Sequence, residues 1–469
     1  MHWHHRIGGV TVAVATVGWG VVMNTAPAVA RTAAPPAACF SPPIATGTGA
    51  GATALVAGDF FNHHNGTLDV VTGNSGRFGT GPGTISVLKG KGDGTFDYTG
   101  DVSIPERVES PSAMVTGDFN HDGNLDVAIA VYGGRVSILL GNGNGTFQPA
   151  VTYSVPDGPI STAAGDLDGH GFLDLATANA GSSVSVLMNK EDGTGTFNAA
   201  VSYPLPHYSS GSIAIGDVNG DGKLDIVATD PDGVEVFSGN GDGTFNPTPR
   251  AFSSGQPSAP TGIALADANR DRKLDIFLSG TTGNYALLLN TGNVNGNATF
   301  KPSTILMGQF AAGVAVGDLN GDGIPDIEAG GPIHPAGGSG VAIGNGDGTF
   351  QTEVSYGYTA QWANLADING DGRLDIAGID NDKVVVLLNC TPFIPPVPSV
   401  PRSSPGHNRT LPPPVPQSSG SPGPHSHSLQ PRVMVSSNSS ASARATLKPI
   451  EDVLKGATSR FLSGLLQAI

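Results

Sequence analysis

The sequence predicts an all-β protein, a seven-bladed β-propeller whose blades have four strands each. Three observations predict this fold. An acidic loop motif occurs seven times at intervals of about fifty residues, a period that is typical of propeller blades. Runs of β-forming residues lie between the loops, and no helical pattern interrupts them. A Gly-rich turn that ends in Thr-Phe recurs in the same place in most repeats.

Six of the seven acidic loops share one nine-residue frame. The second loop shows it, with Asp118, Asn120, Asp122, Gly123 and Asp126 at positions 1, 3, 5, 6 and 9. Oxygen-bearing side chains at this spacing suit calcium, which takes many oxygen ligands in irregular geometry. Gly at position 6 permits a backbone conformation that a side chain resists, and position 7 offers its carbonyl. Strand-forming residues follow each loop, so the predicted ions lie in strand-to-strand turns, unlike those of an EF-hand.

Seven such loops in register favour calcium over the alternative that Asp, Asn and Gly are only good turn residues. We predict up to seven structural ions. Binding should be weakest in three loops. The Asp59 loop is two residues longer, His170 replaces a carboxylate in the Asp166 loop, and Arg272 replaces Gly in the Asp267 loop. The predicted ligands, loop by loop, are Asp59, Asn62, Asn65, Asp69; Asp118, Asn120, Asp122, Asn124, Asp126; Asp166, Asp168, His170, Phe172, Asp174; Asp217, Asn219, Asp221, Lys223, Asp225; Asp267, Asn269, Asp271, Lys273, Asp275; Asp318, Asn320, Asp322, Ile324, Asp326; and Asp367, Asn369, Asp371, Arg373, Asp375.

The net charge agrees with bound cations. The loops hold 20 of the 39 Asp and Glu residues, and the formal net charge is −16. Seven divalent cations would neutralise most of this charge, whereas the clustered carboxylates would repel one another without them. The acidic balance also disfavours nucleic acid as a partner, because phosphate binding needs a basic surface.

The two ends of the repeat array predict how the ring closes. The last repeat stops at Cys390, before any Thr-Phe strand, whereas Phe40 precedes the first repeat. The N-terminal segment should therefore supply the outer strand of the last blade. Cys39 and Cys390 are the only cysteines, and this closure brings them together, so we predict a disulfide between them. Two unrelated thiols, the alternative, would leave their positions at both ends of the array unexplained.

These motifs resemble the FG-GAP/VCBS repeat family, whose relatives include the propeller of integrin alpha subunits. The resemblance covers about residues 39–390 and rests on the Gly-Asp-Gly-Thr-Phe turns and on the Gly-Asp pairs that open the loops, as at Gly117-Asp118, Gly216-Asp217 and Gly317-Asp318. It implies a calcium-binding propeller. It does not specify the function, because the family includes adhesion modules, lectins and enzyme-associated domains.

The segments outside the propeller, which we place at residues 31–390, differ in composition. Residues 1–30 predict a secretion signal, with a basic start, an apolar stretch and a small-residue cleavage site at Ala28–Ala30. An uncleaved anchor is the alternative, but the apolar run is short for a membrane span. Residues 391–445 predict a disordered Pro/Ser-rich linker, and residues 446–469 a possible short amphipathic helix. We expect a secreted protein, periplasmic or at the cell surface in a bacterium, without a transmembrane span in the mature chain.

Three classes of function fit such a protein. We predict a non-catalytic extracellular recognition or adhesion module that binds a protein or a glycan. A carbohydrate-binding lectin is the alternative. A polysaccharide-active enzyme is disfavoured and we assign no catalytic residues, because the loop carboxylates are accounted for as metal ligands. In addition, no Gly-x-Ser-x-Gly or His-Glu-x-x-His motif occurs.

Ligand binding is expected on the face of the ring opposite the acidic loops. The connections there vary most in sequence, and variable loops on a rigid scaffold are where binding usually resides. Aromatic and basic side chains in these connections are the candidates for ligand contact: Arg77, Tyr132, Tyr208, Tyr285 and Trp362. For Trp362 the alternative is a core residue between blades, because it lies just before a predicted inner strand.

Overall fold

The computed structural model describes residues 37–75, 83–104, 111–156, 158–209, 211–255, 259–280, 284–306, 313–330, 339–356, 361–392, 433–434 and 437–438. In this part of the chain every regular element is a β-strand, and no helix there is long and apolar enough to cross a membrane. The predicted secretion signal, Arg77 and the predicted C-terminal helix lie outside these residues, as does most of the predicted linker.

The described strands form seven antiparallel sheets, numbered here as blades 1 to 7. The strands, in blade order, are β2 (Ala52–Gly58), β3 (Asp69–Asn74), β4 (Thr84–Gly90), β5 (Phe96–Ser103); β6 (Pro111–Gly117), β7 (Asp126–Val131), β8 (Arg135–Leu139), β9 (Val151–Ser154); β10 (Pro159–Gly165), β11 (Asp174–Asn179), β12 (Ser183–Leu187), β13 (Val201–Pro204); β14 (Ile213–Gly216), β15 (Asp225–Asp230), β16 (Gly233–Phe237), β17 (Arg250–Ser253); β18 (Pro260–Ala266), β19 (Asp275–Gly280), β20 (Asn284–Val294), β21 (Asn297–Leu306); β22 (Ala315–Gly317), β23 (Asp326–Ala329), β24 (Ser339–Ala342), β25 (Val354–Tyr356); and β26 (Gln361–Ala366), β27 (Asp375–Asp380), β28 (Lys383–Leu387), β1 (Ile44–Gly47).

The blades are arranged as a closed ring. The first strands of successive blades contact one another, from β2 and β6 round to β26 and β2. The fourth strands lie outermost, and apolar residues on them, such as Val151 and Val201, are exposed. The predicted seven-bladed propeller with four-stranded blades is confirmed.

The predicted ring closure is also confirmed. Strand β1 pairs antiparallel with β28, with Ile44 opposite Val386. Phe40 forms a bridge with Asn389, as Phe147 does with Gly141 in blade 2. Cys39 and Cys390 form the disulfide, with their Cα atoms 5.0 Å apart, and the Cys390 N–H donates to the Cys39 carbonyl at 2.8 Å.

Neighbouring blades pack through a glycine and a leucine. The glycine precedes position 1 of the acidic loop, and the leucine is position 8 of the loop in the next blade. A β-carbon on Gly58 would lie 2.5 Å from Leu125, and one on Gly117 would lie 2.5 Å from Leu173. Such distances are shorter than close packing allows. The Gly-Asp pair that opens five of the seven loops therefore serves blade packing as well as the loop itself, whereas Ala266 and Ala366 precede the other two loops.

Blades 2 and 3 each carry a fifth strand at the inner edge. Strand β29 (Val433–Met434) pairs with β10, and β30 (Ser437–Asn438) pairs with β6. Both come from the region that the sequence predicts as a linker. The first strand of a blade lies at the inner edge of its sheet, where its outward N–H and C=O groups are open to pairing with an extended segment.

Candidate metal centre

The acidic loops join the first and second strands of each blade on one face of the ring, which we call the loop face. The backbone wraps around the position-1 carboxylate. Asp118 accepts the N–H of Asp122 at 3.1 Å and that of Gly123 at 2.9 Å. The Asp122 carboxylate in turn accepts the N–H of Asn124 at 2.8 Å. The same bonds to the position-1 carboxylate recur in the loops that begin at Asp217, Asp318 and Asp367.

The position-9 aspartate begins the second strand and is buried. Asp126 accepts the N–H of Phe119 at 2.8 Å and, with its other oxygen, the N–H of Gly141 at 2.8 Å. It thereby ties the loop to the end of the third strand. Burial raises the pKa of Asp126 to about 7, and the charges of Asp118 and Asp122 act in the same direction. The equivalent aspartates make the same two bonds: Asp69, Asp174, Asp225, Asp275, Asp326 and Asp375.

The carboxylates of the third loop converge. In the third loop one oxygen each from Asp166, Asp168 and Asp174 lie within 4.8 Å of one another. Like charges at this separation oppose ionisation unless a cation or a proton intervenes. A set of oxygen donors alone is the set that calcium prefers, so the residues present fit the predicted ion.

His170 in this third loop turns partly away from the other ligands. Its Nδ1 lies 2.9 Å from Glu191 and 3.3 Å from Asp168, and its ring is largely exposed. Hydrogen bonding to Glu191 and the nearby Asp168 charge raise the pKa of His170. Sequence reasoning did not include Glu191, which comes from the Gly-rich turn after the third strand.

The first loop is built differently from its prediction. Asn62 donates its amide to Asn124 of the second loop at 2.8 Å, and Asn65 accepts the Thr67 N–H. His63 instead faces the two carboxylates, with Nδ1 at 3.4 Å from Asp59 and 3.6 Å from Asp69. Both ring nitrogens of His63 are buried without a hydrogen-bond partner. The two extra residues of this loop place His63, rather than an asparagine, beside the carboxylates.

The fifth loop keeps the common geometry despite its missing glycine. Arg272 has a φ of 69° and donates its N–H to Asp267 at 2.7 Å, as glycine does elsewhere. The position-5 carboxylate of Asp271 is paired with Lys273 at 2.7 Å. A similar pair joins Asp371 to Arg373 at 2.5 Å in the seventh loop. In these two loops a side-chain cation of the protein already contacts one predicted ligand.

One position of the repeat was not recognised in the sequence, although it is central to the site. It lies just after the third strand in most blades but within β20 in blade 5, and it is Asn in three blades. Asn290 donates to the Leu274 carbonyl at 3.0 Å and to the Val218 carbonyl of the preceding blade at 2.7 Å. Asn189 and Asn389 make equivalent bonds. In other blades this position is Gly, and a β-carbon on Gly239 would lie 2.0 Å from the Leu224 carbonyl. This position could have been recognised in the sequence because it is either Gly or Asn in the repeats.

The face opposite the loops, which we call the connection face, carries the links between blades and the turns between second and third strands. Tyr208 lies there with 58% of its surface exposed, and Tyr132 is half-buried in its turn. Tyr285 is 1% exposed and packs in the core between blades 5 and 6, so its assignment as a surface ligand contact is wrong. The strand begins at Asn284, which places the Tyr285 ring inside the blade. Trp362 lies within the inner strand β26 and not just before it.

Comparison with known proteins agrees with this architecture. The FG-GAP-like repeat family matches five overlapping segments, residues 63–129, 118–177, 166–228, 217–278 and 269–327, which together span more than half of the chain. Cartilage acidic protein 1 of Xenopus tropicalis is 35% identical over 109 residues, which are 22% of this chain and 16% of that protein. The chain thus matches a small part of that relative's length.

Solved structures share the propeller. BBS1N in complex with ARL6DN aligns with a TM-score of 0.52 at 10% identity, covering 75% of this chain and 97% of that chain. An Agrocybe aegerita lectin that recognises non-reducing terminal N-acetylglucosamine aligns with a TM-score of 0.44 at 22% identity, covering 65% of this chain and 80% of that chain. At these identities the likeness concerns the fold alone. With five matched repeats in a seven-bladed ring, the chain belongs to the FG-GAP-like repeat family.

Proposed function

We propose that this chain is a secreted, calcium-stabilised propeller that acts as a non-catalytic extracellular recognition or adhesion module. The observation that carries the proposal is the convergence of Asp166, Asp168 and Asp174 in the third acidic loop, whose frame recurs in other loops of a family that often binds calcium. Calcium would rigidify the loops and perform no chemistry, because each loop joins two strands of one blade and tightens its own turn.

Secretion is supported by the closing disulfide. A bond between Cys39 and Cys390 persists in oxidising compartments and is rare in the cytosol. The partial match to a protein named for cartilage agrees with an extracellular setting.

Recognition would reside on the connection face. The loop face is occupied by turns whose carboxylates are committed to backbone N–H groups and, in this proposal, to calcium. The connection face presents exposed side chains such as Tyr208 on a rigid scaffold. A glycan is the second candidate ligand, because the exposed ring of Tyr208 offers an apolar surface and a hydroxyl to a sugar.

The test uses the chain from residue 31 to 469 in calcium and in excess chelator. We expect a lower melting temperature in chelator, since a ligand that binds only the folded state stabilises it. Binding is then measured on immobilised matrix proteins and on a glycan array, with Tyr208→Ala and with Tyr98→Ala as the matched control on an outer strand, where Tyr98 is also exposed.

Each outcome of these measurements tests one part of the proposed function. Loss of binding in Tyr208→Ala but not in Tyr98→Ala would support recognition by the connection face, and the array would separate glycan from protein ligands. An unchanged melting temperature in chelator would refute calcium stabilisation. Release of reducing sugars or unsaturated products from polysaccharides would refute the non-catalytic assignment.

A further inference from the structure

Three side chains that the acidic loops do not use meet on the connection face between blades 3 and 4. His207 lies in the link from β13 to β14, Asp230 ends β15, and Glu235 lies in the middle of β16. His207 Nδ1 is 3.5 Å from Asp230 Oδ2, and one ligand atom from each of the three residues lies within 4.8 Å of the others. The cluster is at the end of β15 farthest from the acidic loop, which begins at Asp217.

The same two strand positions are neutral in blades 1 and 3. Asp230 is opposite Gly233 in the β15–β16 ladder, and Glu235 is opposite Ala228. The corresponding residues of blade 3 are Asn179 and Ser185.

In blade 3 the Asn179 amide donates to the Ser185 hydroxyl at 2.9 Å. Blade 1 repeats the arrangement, with Asn74 donating to Ser86 at 2.8 Å. An amide and a hydroxyl satisfy each other inside a blade. Two ionised carboxylates cannot, because both are acceptors.

Glu235 is the residue whose burial demands an explanation. It is 1% exposed, and its Oε2 has no hydrogen-bond partner. Burying an ionised carboxylate without a partner is costly. Burial raises the pKa of Glu235 to about 7, the Asp230 charge acts in the same direction, and His207 opposes it. Either a proton or a cation can satisfy this group.

Asp230 is held so that one oxygen faces the histidine. Its Oδ1 accepts the N–H groups of Asp232 at 3.1 Å and Gly233 at 2.6 Å, which fixes the carboxylate in the turn. Its Oδ2 is the atom nearest the His207 ring. The turn thus orients one carboxylate oxygen toward an imidazole nitrogen and toward the buried Glu235.

We propose that His207, Asp230 and Glu235 bind a divalent transition metal, with Zn²⁺ the best match, at a site distinct from the calcium loops. An imidazole nitrogen with two carboxylates suits zinc, whereas calcium prefers oxygen donors alone. Three protein ligands leave one position of a tetrahedral zinc open. Because the His207 side chain is 57% exposed, that position faces solvent, where it can take water or an acidic group of a bound partner.

The experiment titrates Zn²⁺ by calorimetry, and Co²⁺ by its visible spectrum, into the full metal-stripped chain with saturating calcium. Wild type is compared with Glu235→Gln and with His207→Ala. His170 and His63 also lie beside carboxylates, so the matched control is His121→Ala, which removes an exposed histidine that belongs to none of these clusters. The comparison between variants measures Zn²⁺ binding at the His207 site whether or not calcium fills the loops. A failure of this proposal can therefore be told apart from a failure of the proposed calcium-stabilised function.

We expect one equivalent of Zn²⁺ at the His207 site. Both test variants should bind it at least about tenfold more weakly, the scale of change seen when partners of metal ligands are altered, and His121→Ala should retain it. His207→Ala alters an exposed side chain and leaves the blade intact, so it decides the matter if Glu235→Gln does not fold. Equal Zn²⁺ affinity in wild type and His207→Ala would overturn the proposal. So would an absence of Zn²⁺ binding by wild type, which would leave Glu235 satisfied by a proton.

Discussion

Removal of the disulfide between Cys39 and Cys390 should lower the stability of the propeller without opening its ring. The bond joins residues separated by 351 positions. For a closed loop of this length the chain-entropy model gives a stabilisation of about 6 kcal/mol at 25 °C, and measured values for native disulfides are about 2–5 kcal/mol. We therefore expect the Cys39→Ser/Cys390→Ser double variant to lose about 3–6 kcal/mol of unfolding free energy.

The folded ring should survive because non-covalent contacts also hold the closure. Strand β1 keeps its pairing with β28. Tyr356 donates its hydroxyl to the Ala38 carbonyl at 2.6 Å, and its ring packs edge-to-face on Phe40 at 5.1 Å. In the chain-entropy model the loss in stability arises from the greater freedom of the unfolded chain.

The assay is equilibrium unfolding in guanidinium chloride, with calcium present and with secondary structure followed by circular dichroism. The double variant should show the wild-type spectrum and a lower midpoint. A reductant should move the wild-type midpoint to that of the double variant, and it should not move the midpoint of the variant itself. Coincident midpoints for oxidised wild type and the double variant would refute the reasoning.

Three further changes test the loops and the core. Asp221→Asn should remove one bound calcium ion and lower the melting temperature in calcium but not in chelator. The control is Asp242→Asn, which alters an exposed Gly-rich turn. Equal calcium stoichiometry in the two variants would contradict a calcium site at Asp221. Asn290→Ala leaves two buried carbonyls without their donor and should lower the free energy of unfolding in denaturant by about 1–3 kcal/mol. The loss should be larger than for Asn240→Ala, which removes an exposed hydrogen bond. Similar losses in the two variants would count against the role of Asn290. Burial raises the pKa of Glu328 from 4.5 to about 8, and the charge of Glu353 acts in the same direction. The folded state therefore holds the Glu328 proton more tightly than the unfolded state does. The contribution of Glu328 to stability falls as pH rises from about 4.5 to 8. Glu328→Gln should therefore gain stability relative to wild type across that range, by at most ~1.4 kcal/mol per pH unit, and a pH-independent difference in unfolding free energy would exclude this titration.

The acidic loops and the propeller could be predicted because their signals are local and repeated. The frame from Asp118 to Asp126 lies within nine residues, so its turn geometry depends on few distant contacts. The closing strand was predicted for the same reason: Phe40 and the truncated last repeat complement each other in the sequence, and the structure pairs them as expected.

The errors and omissions concern contacts between blades or the direction of a side chain in a strand. Tyr285 was placed on the surface because its neighbours are Gly and Asn, yet it points into the core between blades 5 and 6. Asn290 was overlooked because one of its partners, Val218, is 72 residues away. In the first loop two extra residues brought His63 to the carboxylates, which no spacing rule predicts.

The sequence by itself determined the strand-loop repeat, the number of blades and the pairing of the two ends, because each is written in short motifs whose conformation is local. Only the tertiary structure decided which side chains meet across neighbouring strands and blades, including His207 with Asp230 and Glu235. Those contacts depend on strand register and on the packing of one blade against the next. Both are set by the whole ring and not by any single repeat.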